Sequence, residues 1–549
     1  MAGSFESTVA ELTKKYPRFI LDGKPYRYQY GTAGFRDVAE RLPSAMVRVG
    51  ILAALESKCF GGKVVGVVVT ASHNQGSDNG AKIMDYQGEM ISHLWEEFAS
   101  VLANADEGEG VVKAVKDFAA SQGIDFASPS TVFVGRDTRE SSPYLQDCVI
   151  KGASALGSCV FDHGQVTTPQ LHWVVRAFNE DSKRFSPLSE STRDDLQVYN
   201  KNLSESIGEL LDGPVEELTV DCANGIGAVA LEKLKPFISK FIPLRLMNAS
   251  VKDFAKLNHN VGAEHVQKNR KLPEGVDPSK DQSRRFASID GDADRVVFFY
   301  VDSNQQLCLL DGDKIIALVA TYFKQLVDMA QLDLKIGIVQ TAYANGASTI
   351  YLSKVLKVPV ACVPTGVKFL HHKAAEFDIG IYFEANGHGT AIFSPSAISK
   401  IVAVSQQSSS PTVKKAANRL LAFSRLINQA VGDAISDILL VEVTLASLKL
   451  TMPAWNSFYA DFPSHQSKVK VKDRSVVITT DAERRVQSPS KLQEAIDAAV
   501  SKFQLGRAFV RPSGTEDVIR TYAEAATEAE AKQLGEMVGK AVFDYAGGV

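Results

Sequence analysis

The sequence predicts an α/β fold divided among several domains. The first observation is a set of short β-branched runs at 64–70, 131–134, 218–221, 335–339 and 358–362, each ending in a polar or Gly-rich turn. The second is the helical texture between them, as at 313–326 and 416–431. Alternation of the two predicts layered sheets whose strands are buried on both faces. The third is length: 549 residues at about 100–200 per domain give roughly three to five domains.

The runs set the order of everything else. In such sheets ligands bind in loops beyond the C-terminal ends of the strands, and each motif below follows or joins such strands. Residues 186–192 read as a linker, 301–306 as a hairpin turn near a second boundary, and 405–411 as an exposed polar loop. After Trp455 the texture changes, and 468–474, 475–480 and 506–511 read as strands of an α+β domain. No fixed-period repeat is found.

Composition excludes several classes. Hydrophobic residues make up 45% and charged residues 23%, ordinary for a globular chain, and the net charge of -4 argues against a broad nucleic-acid surface. The N-terminus has no basic segment followed by an apolar one, so no secretory leader is expected. The most apolar run, 437–445, is interrupted by Glu442 and does not read as a membrane span. Six cysteines, with no C-x-x-C pair, read as small buried residues in a reducing compartment, which points to the cytoplasm.

Four loops carry chemistry. In Thr70-Ala-Ser-His-Asn-Gln-Gly-Ser-Asp-Asn-Gly-Ala-Lys82, Ser72 is a candidate nucleophile or phosphoryl carrier and His73 a candidate orienter. Lys82 is a candidate proton carrier, its pKa expected to fall on burial. The competing reading is a turn rich in Asn, Gly and Ser because turns need them. In Asp290-Gly-Asp-Ala-Asp-Arg295, three carboxylates at alternate positions crowd between two apolar runs. An EF-hand is excluded, since the sixth residue is Arg295 and the twelfth Val301; hard oxygens of this kind suit Mg²⁺ together with a phosphate oxygen. In Arg511-Pro-Ser-Gly-Thr515, with Arg520 following, guanidinium forks, hydroxyls and N–H groups suit a phosphate. In Phe383-Glu-Ala-Asn-Gly-His-Gly-Thr390, Glu384 and Asn386 can bond sugar hydroxyls, and His388 can move a proton or meet a phosphate.

Other signals are discounted. Gly225-Ile-Gly follows a strand but lacks the acidic residue about 20 positions on that a dinucleotide site needs, and no P-loop is present. His371-His372 lacks a ligand partner at helical spacing, so a surface or phosphate-facing pair is expected rather than zinc.

Together, and in this order, the four loops resemble the α-D-phosphohexomutases: a phosphoserine loop, a D-G-D-x-D-R magnesium loop, a sugar loop and an R-P-S-G-T phosphate loop. Gly135-Arg-Asp-Thr-Arg139 follows Ser72 here, whereas in most of the family it precedes it. That order is similar to the eukaryotic members acting on N-acetylglucosamine phosphates. So are Tyr30-Gly-Thr-Ala-Gly-Phe-Arg36, Thr168-Pro-Gln-Leu-His172, Gln340-Thr-Ala-Tyr-Ala-Asn-Gly346 and Glu384-Ala-Asn-Gly-His388, the last with Asn where glucose and mannose mutases usually have Ser. Gln75 replaces the family's usual Pro after S-H-N, removing a fixed φ from the loop.

The resemblance implies a four-domain phosphohexomutase architecture around a central cleft, three α/β domains with mixed sheets and a smaller C-terminal α+β domain. The boundaries expected are 1–188, 189–300, 301–460 and 461–549. It implies interconversion of N-acetylglucosamine 6-phosphate and 1-phosphate through phospho-Ser72 and a hexose 1,6-bisphosphate, on the route to UDP-N-acetylglucosamine. Mg²⁺ would be held by Asp290, Asp292, Asp294 and the Ser72 phosphate. Lys82 is the first choice for acid or base and His388 the second, with Arg36 and His73 beside the serine. Glu384, Ala385, Asn386 and Gly387 would hold the sugar. Arg511, Pro512, Ser513, Gly514, Thr515 and Arg520 would hold the phosphate that is not reacting. The expected partners are small sugar phosphates, with no nucleic acid, no membrane and a monomeric chain. The rivals are the same chemistry on glucose or mannose phosphate, and a silent relative that only binds sugar phosphates.

Overall fold

The computed structural model describes residues 3–31, 34–185, 195–514 and 516–549. The expected linker at 186–192 and the 188/189 boundary lie outside the described residues, as do Thr32, Ala33 and Thr515. The chain divides into two compact units: Met1–Asp311 with Asn386–Thr390 and Leu421–Ser447, and Gly312–Ala385 with Ala391–Leu420 and Leu448–Val549.

The first unit holds two mixed five-stranded sheets. One comprises β1 (Phe35–Val38), β2 (Val64–Val69), β3 (Asp78–Met84), β4 (Thr131–Arg136) and β5 (Cys159–Gln165), in the order β1-β3-β2-β4-β5. β2, β4 and β5 run parallel, and β3 lies antiparallel to both β1 and β2. The unbroken apolar run of β2 serves both faces. Val65, Val67 and Val69 join the core under helices Pro43–Cys59 and Ser142–Ala155, while Val64 and Val68 join Leu171, Val174 and Val175 of helix Thr168–Glu180. Ser72 therefore leaves the C-terminal end of a strand packed on both sides.

The other sheet comprises β6 (Leu218–Asp221), β7 (Leu244–Met247), β8 (Arg285–Ile289), β9 (Val296–Val301) and β10 (Leu307–Leu310), in the order β10-β9-β8-β6-β7. β8 and β9 pair antiparallel with Ile289 opposite Val296, so 290–295 is the tight connection the apolar flanks predict. The turn expected at 301–306 joins β9 to β10, closed by Asp302 N–H to the Gln306 carbonyl at 3.0 Å.

A four-stranded sheet comprises β11 (Ile336–Thr341), β12 (Val360–Val363), β13 (Ile379–Phe383) and β14 (Gly389–Phe393), in the order β12-β11-β13-β14; β11 to β13 belong to the second unit. The C-terminal part of the second unit has an antiparallel sheet of β15 (Ser464–Lys470), β18 (Arg507–Pro512) and β19 (Val518–Glu524), ordered β15-β19-β18. Beside it lies a hairpin of β16 (Ile478–Thr480) and β17 (Arg485–Ser488), with helices Ser490–Val500 and Glu528–Tyr545 over their shared core.

Several local expectations are corrected. The strand expected at 475–480 starts only at Ile478, because Asp473 accepts the Ser475 N–H and turns the chain through a 3₁₀ turn first. The exposed loop at 405–411 shrinks to 408–410: helix Pro395–Gln407 runs into it, and Pro411 opens helix Pro411–Leu426. The apolar run at 437–445 lies in buried helix Ala434–Leu448, with Glu442 gripping Arg285 at 2.6 and 2.7 Å. Among the described residues no helix is long and apolar enough to cross a membrane. The cysteines are all free, but only Cys148 and Cys222 are buried and Cys159 is exposed, so the small-core-residue reading holds for two of the six.

Candidate functional site

Ser72 sits fully buried in a left-handed backbone conformation, φ 51°. Such strain persists only where the surroundings hold it. Its N–H donates to Thr70 Oγ1 at 3.0 Å, and Thr70 donates to Asp137 Oδ2 at 2.8 Å. Its hydroxyl donates to Asp290 Oδ2 at 2.8 Å, which joins the serine loop to the carboxylate loop.

The three carboxylates are buried. Asp290, Asp292 and Asp294 are 1%, 0% and 5% exposed, and one oxygen from each lies within 4.8 Å of the others. Asp290 Oδ1 accepts the Asp294 and Arg295 N–H groups at 3.0 and 3.2 Å. Thr168 Oγ1 donates to Asp292 Oδ2 at 2.6 Å. Burial, then Asp294 and Asp292, drive the Asp290 carboxyl well above the usual range. Burial pushes Asp294 the same way, yet Lys82, His388 and Arg295 hold it well below.

Asp292 Oδ1 and Asp294 Oδ1 are buried and accept no hydrogen bond among the described residues. Crowded hard oxygens left short of donors, with a serine hydroxyl beside them, fit a divalent cation such as Mg²⁺. Among the described residues this is the one group of three or more potential ligands found.

Lys82 bridges Asp292 and Asp294 at 2.8 and 2.6 Å. The expected fall in its pKa is corrected: burial lowers it, but the two carboxylates outweigh burial and the group is raised, so Lys82 stands as an ammonium. His73 lies beside the serine, with Nδ1 3.4 Å from Ser72 Oγ and Nε2 3.1 Å from Glu264. Burial, then Arg295 and Arg36, lower its pKa to about 2, so the ring is neutral. Arg36 reaches Asn74 Oδ1 at 3.4 Å, and its Nε has no hydrogen-bond partner among the described residues.

His388 is buried with Nδ1 2.8 Å from the Asp294 carbonyl. A carbonyl only accepts, so Nδ1 carries a proton, and in the neutral ring the lone pair is on Nε2. That Nε2 has no partner among the described residues. Asn386 Oδ1 accepts the His388 N–H at 2.9 Å and closes the turn. Gly387 has φ 86°, and a Cβ there would lie 1.9 Å from the Val296 carbonyl. Glu384 and Ala385 fall in the second unit, where the Ala385 carbonyl accepts the Gly312 N–H.

The second unit gathers cations. Arg511 pairs directly across from Arg520, and Arg520 from Lys468, in adjacent strands. Like charges so placed repel unless an anion compensates them. Arg511 donates from Nε to Tyr343 Oη at 3.2 Å, and its Nη1 lies 3.6 Å from Glu483 Oε1. Glu483 in turn accepts the Thr365 N–H at 2.9 Å. Pro512 ends β18; Ser513 is buried, its N–H on the Val518 carbonyl, and the Gly514 carbonyl accepts from Arg474 at 3.1 Å. Thr515 lies outside the described residues. His371 is corrected from a surface or phosphate-facing group to a buried one against Tyr382 Oη at 3.2 Å, while His372 is exposed.

Three residues escaped the sequence reading. Arg139 and Thr168 lie in segments read only as subgroup markers, though an Arg between an Asp and a buried helix is itself a signal. Asn258 gave none. Arg139 is 1% exposed and donates to the Ser72, Asn74, Gln75 and Asp78 carbonyls; Asn258 Nδ2 meets the Ser72 and Asn74 carbonyls at 2.9 Å each.

The chain is similar to known proteins. Family models for phosphoacetylglucosamine mutase AMG1, domains II and III, match 209–297 and 311–450. Models for phosphoglucomutase/phosphomannomutase domain I and the C-terminal domain match 99–183 and 467–541. The chain is 46% identical over 527 residues to phosphoacetylglucosamine mutase of Homo sapiens, covering 95% of each. Its structure is similar to an N-acetylglucosamine-phosphate mutase solved in the substrate complex, with TM-score 0.92, 41% identity and coverage of 98% and 100%. It is also similar to the Aspergillus fumigatus N-acetylphosphoglucosamine mutase solved with GlcNAc-6P and magnesium, with TM-score 0.91, 39% identity and 99% of each chain covered.

Proposed function

The chain belongs to the phosphoacetylglucosamine mutases of the α-D-phosphohexomutase superfamily, and from that premise we infer that it interconverts N-acetylglucosamine 6-phosphate and 1-phosphate through phospho-Ser72. The observation that carries the reading is the 2.8 Å bond from Ser72 Oγ to Asp290 within a buried cluster of three carboxylates. A hydroxyl placed there gains a phosphoryl group beside a cation site.

Phospho-Ser72 gives its phosphoryl group to the free hydroxyl of the bound monophosphate. The P–Oγ bond breaks as the new O–P bond forms, giving the 1,6-bisphosphate. After the bisphosphate turns end for end, Ser72 takes the other phosphoryl group. Asp290, Asp292, Asp294 and the Ser72 phosphate would hold Mg²⁺, which offsets charge on the transferring oxygens. Lys82, held as an ammonium, suits the acid half of the proton traffic at Ser72 Oγ. With Nδ1–H on the Asp294 carbonyl, the neutral His388 ring has its lone pair on Nε2, which suits the base half at the substrate hydroxyl. Arg36 and His73 position the serine. Glu384, Ala385, Asn386 and Gly387 hold the sugar, and Arg511 to Thr515 with Arg520 hold the idle phosphate.

The domain boundaries proposed are 1–188, 189–300, 301–460 and 461–549, supported by one matched segment falling inside each. A cytoplasmic monomer remains the proposed state, and free cysteines suit that compartment.

The test is a coupled assay comparing N-acetylglucosamine 6-phosphate with glucose 1-phosphate, catalytic bisphosphate being present. A higher kcat/KM for the acetylated sugar is expected. A ratio near one, or favouring glucose, rejects the substrate while leaving the phosphoserine chemistry standing.

A further inference from the structure

A loop that must carry and recover a phosphoryl group has to hold its oxygen in line with the reacting phosphorus, and misplacement by about 1 Å can cost on the order of a hundredfold. Here no proline fixes φ at residue 75, and Ser72 holds φ 51°. Two side chains hold the loop. Arg139 follows β4 of the same sheet and is fixed by Asp137, Nε to Oδ2 at 2.9 Å, so its clamp travels with the serine. Asn258 lies between β7 and β8, in the sheet that carries the aspartate loop, with its own N–H on the Ala223 carbonyl at 3.0 Å. Its amide meets the Ser72 and Asn74 carbonyls at 2.9 Å each, the same two carbonyls that Arg139 Nη2 meets. Gly291, between the first two aspartates, completes the junction: a Cβ there would lie 2.5 Å from the Ser72 carbonyl and 2.7 Å from Asn258 Nδ2.

We propose that Asn258 is a positioning residue for phosphoryl transfer, registering the Ser72 loop, which Arg139 also holds, on the aspartate loop. The proposal rests on Ser72 being the carrier. Asn258 binds backbone carbonyls, so its loss falls on kcat rather than on sugar affinity. Arg139 shapes the loop itself, and its removal confounds folding with position, so Asn258 is the better probe.

The experiment uses the full chain with Mg²⁺ and bisphosphate, and follows thermal unfolding beside kinetics. Asn258→Ala should lower kcat by about tenfold or more, since two bonds are lost, with KM within about twofold. Asn258→Asp should be slower still, because it sets a carboxylate against two carbonyl oxygens. Gln75→Pro added to Asn258→Ala should recover part of kcat, which a merely structural defect would not show. The proposal is overturned by Asn258→Ala with kcat within about twofold of wild type, by a loss confined to KM, or by a double variant no faster than the single. Labelling by radioactive bisphosphate separates the two readings. Label that survives in Ser72→Ala defeats the carrier assignment. Label lost in Ser72→Ala, with full turnover in Asn258→Ala, defeats only the role of Asn258.

Discussion

Asp290→Asn should make the metal-free protein more stable while nearly silencing it. The substitution keeps the local bonds: Asn Oδ1 can accept the Asp294 and Arg295 N–H groups, and its NH₂ can donate to a rotated Ser72 hydroxyl. What it removes is charge. Oxygens within 4.8 Å repel by about 3 kcal/mol per ionised neighbour at an effective dielectric of about 20. Lys82 and Arg295 already offset part of this, leaving a gain of about 1–3 kcal/mol. Burial and the neighbouring carboxylates raise the folded Asp290, so the folded chain binds a proton that the unfolded chain has released. Wild-type stability then falls as pH rises from about 4 through the raised folded value, and Asn has no such slope. The gain should therefore be larger at pH 8 than at pH 5. Urea unfolding in EDTA measures it; excess Mg²⁺ should stabilise the wild type by about 2.7 kcal/mol at a hundredfold over Kd, and the variant by less. Turnover should fall by about two orders of magnitude. A variant destabilised in EDTA, or one gaining as much from Mg²⁺ as the wild type, would refute the reasoning.

Arg511→Lys loses the guanidinium fork and should weaken binding of N-acetylglucosamine 6-phosphate by about 1.5–3 kcal/mol, measured by calorimetry, without moving the unfolding midpoint greatly. Gly387→Ala meets a positive φ and the Val296 carbonyl at 1.9 Å; it should cost about 3 kcal/mol or more of stability by denaturation and disorder the His388 turn. Asp437 is fully buried, and neither carboxylate oxygen has a hydrogen-bond partner among the described residues. Burial and then Asp433 raise its pKa, so it destabilises the fold increasingly as pH rises above about 4. Asp437→Leu should be stabilising by about 2 kcal/mol at pH 8, with a smaller gain at pH 5.

Local pattern was enough to predict the strands and the loops after them. Continuous apolar runs such as 64–69 and 285–289 bury both faces, and a chain entering or leaving such a strand must turn in polar residues. The four motifs and their order likewise carried the resemblance to the family, and the aspartate loop concentrates carboxylates that are costly together without a cation. The sequence could not rank the environments inside those loops. Burial alone lowers the pKa of Lys82, and only the fold sets Asp292 and Asp294, more than 200 residues on, against its ammonium. Gly387 was assigned no packing constraint, because the carbonyl it abuts belongs to residue 296. Asn258 carries no motif, and its role exists only where two sheets meet at Ser72. The types of group a site contains are written locally. Which charge faces which, and which carbonyl needs a donor, are decided by contacts between segments far apart in the chain, and only the tertiary structure brings these together.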